Sequence, residues 1–99
     1  MKVLITYDIS QRHEEVKKAL LEAGLRDRWT GNGMTYYLPE TTVWHNNLDN
    51  ATAGSQLVQD TIRALNEGQP EDRIIDVQRV MAVIFTNWAG NRGEPHSDE

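Results

Sequence analysis

Apolar runs near both ends of the chain, two amphipathic helical stretches and a β-rich middle predict an α+β domain. The order of these segments is that of a ferredoxin-like βαββαβ sandwich with an extra C-terminal strand, two helices covering one face of an antiparallel sheet. Right-handed crossovers leave that arrangement little freedom of topology. The opening run, Lys2-Val3-Leu4-Ile5-Thr6-Tyr7-Asp8-Ile9-Ser10, starts almost at the first residue and ends in a carboxylate. Residues 2–8 read as a strand with Val3, Ile5 and Tyr7 on one side and Leu4 and Thr6 on the other. Apolar residues on both sides suit an interior strand.

Ser10 is the expected N-cap of the first helix, its hydroxyl accepting from a free backbone N–H. Val16, Leu20 and Ala23 recur at i, i+4 and i+7 and make one helical face. Glu14 and Glu15 come early and Lys17 and Lys18 later, the order that the helix dipole favours, and Gly24 is the expected C-cap. Gly31-Asn32-Gly33 reads as a flexible lead-in to a hairpin formed by residues 34–38 and 41–45, with Pro39-Glu40 at the turn because proline cannot donate to a ladder. Asp49, Asn50 and Thr52 are cap candidates for a second helix over residues 54–66, which buries Leu57, Val58, Thr61, Ile62 and Leu65 and ends at Gly68 and Pro70. Residues 73–77 and 80–86 read as strands, or as one strand kinked near Gln78-Arg79. Residues 1–90 form the domain, and 91–99 are expected to be a disordered polar tail.

Ninety-nine residues support a single core. The net charge of −5 argues against a broad basic surface for nucleic acid, although a local patch is compatible with it. The chain has no cysteine, which excludes disulfides and thiolate metal sites. No apolar run approaches the roughly 18 residues of a membrane span, and Asp8 interrupts the only stretch resembling a signal peptide. No membrane association and a cytoplasmic location are therefore expected. Walker, zinc-protease and dinucleotide motifs are absent from the sequence.

An N-terminal strand ending in Tyr7-Asp8-Ile9, a first helix ending in Gly24-Leu25-Arg26, a hairpin, a second helix and an apolar closing strand together resemble a known family over roughly residues 1–87. This is the small CRISPR-associated adaptation protein, the second core subunit of that system, with its VapD-type toxin ribonuclease relatives. The resemblance implies a ferredoxin-like homodimer in which the first-strand Asp of each protomer, here Asp8, faces a shared cleft. It implies Mg²⁺ at that position and metal-dependent cleavage of RNA or DNA. It equally implies a scaffold for an integrase subunit that needs no catalysis of its own. Thr41-Thr42-Val43-Trp44-His45 only loosely follows the family's second-strand pattern.

The residues themselves leave alternatives open. Asp8 suits a hard divalent ion shared between two carboxylates, and equally suits a helix cap or a loop bond. His45 is the better general acid–base candidate among the histidines because its ordinary pKa lies near neutrality. His13 reads as solvated and His96 as incidental. Arg12, Arg26 and Arg28 are candidate phosphate contacts, with Arg26-Asp27-Arg28 equally readable as a solvated edge. Tyr37, Tyr36 or Trp44 could stack on unpaired bases or simply pack; Trp29 and Trp88 lie near turns, and Trp88, following the apolar closing strand, suits an interface. Three functions emerge: a metal-dependent nuclease acting through paired Asp8, a non-catalytic dimeric scaffold or binding module, and a small-ligand sensor at a dimer seam.

Overall fold

The computed structural model describes residues 1–96. Its elements run β1 (Val3–Ile9), α1 (His13–Glu22), β2 (Arg28–Gly31), β3 (Met34–Tyr37), β4 (Thr42–His45), α2 (Ala51–Asn66), a 3₁₀ turn (Glu71–Arg73) and β5 (Val77–Ile84). An antiparallel three-stranded sheet has the order β4-β1-β5, and β2 and β3 form a separate two-stranded sheet. This pair of sheets stands in place of the single larger sheet expected.

β1 takes the central position that its two apolar sides imply. Val3, Ile5, Tyr7 and Ile9 are buried on one face, while Thr6 and Asp8 are exposed on the other. The buried face joins Val16 and Leu20 of α1 and Val58 and Ile62 of α2 in one core, so both helices lie on that side. Tyr7 sits in this core with its pKa pushed up to about 12, by burial first and then by the charges of Glu40 and Asp27. The opposite face carries Lys2, Leu4, Thr6 and Asp8, flanked through the register by Thr42 and Trp44 and by Arg79, Met81, Val83 and Phe85. No helix covers it.

The ends of α1 divide the expectations. Gly24 closes the helix at φ +98°. The Leu25 N–H donates to Leu20 O and the Gly24 N–H to Leu21 O, the paired bonds of a Schellman motif. At the other end the residue before the helix is Arg12, at φ 60°, and no side chain caps it. Ser10 is not the cap: its Oγ accepts from the Asp76 N–H at 2.8 Å, while its own N–H donates to Asp76 O. The hydroxyl is thereby used to prolong the β1–β5 ladder.

α2 starts three residues earlier than expected, where Asn50 Oδ1 accepts from the Ala53 N–H at 2.8 Å. Its buried stripe is Gly54, Val58 and Ile62, with Leu57 and Leu65 packed beside it. After Gly68, at φ +71°, the Asn66 side chain brackets Ile75, donating to its carbonyl and accepting from its N–H.

Two strand expectations are corrected. Residues 34–37 pair with 28–31 rather than with 42–45. Asn32 and Gly33 both have positive φ, the requirement of a tight two-residue hairpin turn, so the local closure wins and β4 is left to pair with β1. Residues 73–77 do not form a further strand. They pass from the 3₁₀ turn into β5, and the kink foreseen near Gln78-Arg79 is a bulge, where Ile9 opposes Val77 and Asp8 opposes Arg79. Of the expected tail, 97–99 lie outside the described residues, whereas the Arg92 carbonyl accepts from the Tyr37 N–H and His96 is buried. Among the described residues no helix is long and apolar enough to cross a membrane.

Candidate functional site

Asp8 lies near the end of β1 on the helix-free face, half exposed, opposite Arg79 of β5. Arg79 Nε donates to Asp8 Oδ2 at 2.5 Å. Both side chains are well solvated, so the pair is worth about 0–1 kcal/mol and leaves the carboxylate accessible. His45 opposes Val3 at the other end of β1. Five residues of strand separate that level from Asp8, roughly 17 Å. Pairing also puts His45 on the helix side of the sheet, with Nδ1 accepting from the Asn47 N–H at 3.0 Å. Asp8 and His45 therefore do not meet within one protomer. Nor do the described residues contain a group of three or more His, Cys, Asp or Glu that could hold a metal ion. One Asp already bonded to a guanidinium does not by itself make a Mg²⁺ site.

Arg12 is fixed inside the fold. Its side chain is buried, Nη1 donates to the Arg73 carbonyl at 3.1 Å, and Nη2 donates to Glu15 Oε2 at 2.6 Å. Glu15 also accepts from Arg73 at 3.1 Å. Hydrogen bonding from Arg12 holds the Glu15 carboxyl below its ordinary range, with Arg73 adding to it, and the same bond raises Arg12. The trio ties the start of α1 to the segment before β5. Similarly, Lys17 is buried on α1 and donates to Glu40 at 3.2 Å.

Arg26 and Arg28 lie elsewhere, beside an aromatic cluster. Trp44 on β4 and Trp29 on β2 meet with ring centroids 4.4 Å apart. Phe85 and Trp88 approach Trp29 edge-on at 6.3 and 5.5 Å, and Tyr36 reaches Trp88 at 5.1 Å. The Trp44 indole Nε1 donates to the Arg28 carbonyl at 2.8 Å, fastening the hairpin to the sheet. Two cations lie over these rings, Lys2 over Trp29 at 4.8 Å and Arg26 over Trp44 at 5.0 Å, while Arg28 lies over the separate ring of Tyr37 at 5.0 Å. Tyr37 also meets His96 edge-on at 5.3 Å and is no part of the Trp29–Trp44 stack.

Trp29 and Trp44 line two cavities. One, of about 560 Å³, carries Lys2, Arg26, Arg28, Thr30 and Asn46. The other, of about 290 Å³, is an apolar groove on the helix-free face with Leu4, Thr6, Pro39, Thr42, Phe85 and Trp88. Lys2, Trp29 and Phe85 are the residues of this site that were not anticipated. Alternation along β1 puts Lys2, Leu4 and Thr6 on one face, and that pattern was the available signal.

Within Arg26-Asp27-Arg28, Arg26 is exposed and Arg28 partly so, whereas the acid between them is drawn inward. Asp27 is buried, accepts from Arg28 Nε at 2.9 Å and lies 3.3 Å from His96 Nδ1. His96 Nε2 lies 2.8 Å from the Leu38 carbonyl, so this histidine anchors the last described residues against the hairpin. No family model, curated protein or solved structure matches the chain.

Proposed function

We propose that the chain is a non-catalytic homodimeric binding module of ferredoxin-like topology, working in the cytoplasm and joined along β5. Support for the topology comes from Arg26, which exchanges both backbone bonds with Trp44 at 2.8 and 2.9 Å. It stands beyond β4 where the outer strand of such a sheet runs, which closes that edge.

The observation carrying the dimer is the other edge. β5 has eight residues, contains no proline, and pairs on one side only among the described residues. The Phe85 N–H donates to Lys2 O. By strand alternation the N–H groups of Val80, Ala82 and Ile84 then point away from β1. Met81, Val83 and Ile84 beside them are 65, 45 and 48% exposed. An unpaired apolar edge of this kind is a template for a second strand, and a second copy in antiparallel register satisfies it reciprocally.

Light scattering at micromolar concentration is expected to give twice the chain mass. Ala82→Pro removes an outward donor without touching the β1 ladder, and Ile84→Lys puts a charge at the seam. Both variants are expected to be folded monomers by circular dichroism. A monomeric wild-type protein, or dimers unchanged in both variants, would refute the reading.

The nuclease reading is favoured by one observation: Asp8 is half exposed on the open face next to the β5 edge. It needs the Asp8 of a second copy and an ion able to take Asp8 from Arg79. On that reading, millimolar Mg²⁺ or Mn²⁺ raises the melting temperature, Asp8→Asn abolishes the rise, and only the wild type cleaves a mixed RNA and DNA panel. Equal shifts in both proteins would eliminate it.

A further inference from the structure

From the cavities on either side of Trp29 and Trp44 we infer a nucleotide-binding site, with the phosphate on Lys2 and Arg26 and the base in the apolar groove. The site lies within one protomer and does not depend on the dimer.

Charge argues for an anion. Arg28 is engaged by the buried Asp27, but among the described residues no carboxylate lies within ion-pair distance of Lys2 or Arg26. These two cations stand together in one cavity of a chain whose net charge is −5; the cavity's one acidic residue, Asp27, is the partner of Arg28, which leaves Lys2 and Arg26 as the charges available to an anion. Each lies over an indole ring, Lys2 at 4.8 Å and the exposed Arg26 at 5.0 Å from the centroid, which restricts its range of positions. A guanidinium stacked on a ring face keeps its in-plane N–H donors directed outward, the geometry suited to phosphate oxygens. Part of the ordering cost of binding is thereby met before the ligand arrives.

The neighbouring groove argues for a flat ring. Its walls include Trp29, Trp44, Phe85 and Trp88, and the hydroxyl-bearing Thr6 and Thr42 lie within it. Aromatic edges and faces take a base by stacking, whichever base it is, and a threonine hydroxyl can both donate to and accept from a base edge. The indole pair is the common wall of both cavities. A ligand with an anion at one end and a planar ring at the other straddles that wall. An alkyl-chain anion would use the charge and the apolar walls but would leave the hydroxyls of Thr6 and Thr42 without a partner in the ligand.

The test is titration of the full chain at low salt, read by tryptophan fluorescence. The probes are four nucleoside 5′-monophosphates, an eight-residue oligothymidylate, inorganic phosphate and a long-chain fatty acid. Nucleotide or oligonucleotide is expected to quench saturably, and binding is expected to weaken as salt rises. Lys2→Gln and Arg26→Gln are each expected to weaken it about tenfold with the melting temperature retained. Saturation by mononucleotides identifies a free nucleotide as the ligand, and saturation by the oligomer alone identifies a single strand. Absence of quenching at millimolar probe, a preference for the fatty acid, phosphate binding as tight as nucleotide, or undiminished binding in both folded variants would each overturn the assignment. Should Arg26→Gln unfold by losing its stack on Trp44, Lys2→Gln alone decides.

Discussion

Trp44→Ala is expected to destabilise the fold by about 3–5 kcal/mol, the range for truncating a buried tryptophan. The side chain is 4% exposed and has three separate roles. Its ring packs against Trp29 and Phe85, with centroids 4.4 and 6.1 Å away. Its Nε1–H satisfies the Arg28 carbonyl, which truncation would leave without that donor. Its face carries the Arg26 guanidinium. For a domain of this size the loss corresponds to a fall in melting temperature of roughly 20 °C. Two indoles this close should also give a coupled signal in the circular dichroism spectrum, and that signal should vanish with Trp44. Trp44→Phe keeps an aromatic ring but removes the N–H together with part of the buried indole, so a loss of about 1–3 kcal/mol is expected, smaller than that of Trp44→Ala. A melting temperature within a few degrees of wild type for Trp44→Ala would mean that the hairpin does not rest on the sheet as described.

The second large effect is expected at Gly54. Glycine inside a helix ordinarily costs about 1 kcal/mol relative to alanine, so Gly54→Ala would stabilise an exposed helix. Here the glycine is buried where α2 crosses β1. A Cβ at this position would fall 2.7 Å from Val3 Cγ1 and 3.1 Å from Ile5 Cγ1. Both are short, branched, fully buried side chains, and neither can swing into solvent. The overlap therefore reverses the sign of the propensity term. Gly54→Ala is expected to be destabilising, and Gly54→Val, with two further methyl groups, by about 3 kcal/mol or more. Chemical denaturation checks both. A more stable Gly54→Ala protein would show that α2 stands further from the sheet than the structure places it.

Much of the framework was legible along the chain. The alternation of Val3, Ile5 and Tyr7, the spacing of Val16 and Leu20, the cap at Asn50 and the closing Gly24 and Gly68 all act through neighbours a few residues away. Asn32-Gly33 carried an equally local signal, a two-residue hairpin turn, and reading it as a loose lead-in displaced the hairpin by one strand. The candidate site was far less legible. Trp29 meets Trp44, Phe85 and Trp88 across 15 to 59 positions, and periodicity does not report such pairings. Asp27, His96, Lys17 and Arg12 have the composition of solvated residues and are buried because each finds a counter-charge or a carbonyl far along the chain.

Taken alone, the sequence determined the α+β class, the central position of β1 and the C-terminal ends of the two helices, because dihedral preference, side-chain period and capping are local physics. Only the tertiary structure decided which strands pair, that Arg26 bridges to Trp44 at one sheet edge while β5 pairs on one side only among the described residues, that Asp8 and His45 stand at opposite ends of β1, and that two tryptophans and two cations converge. Those outcomes depend on register and on the burial of charges in pairs. Both are settled by contacts between residues remote in the chain, whose energies exist only once the core has brought them together.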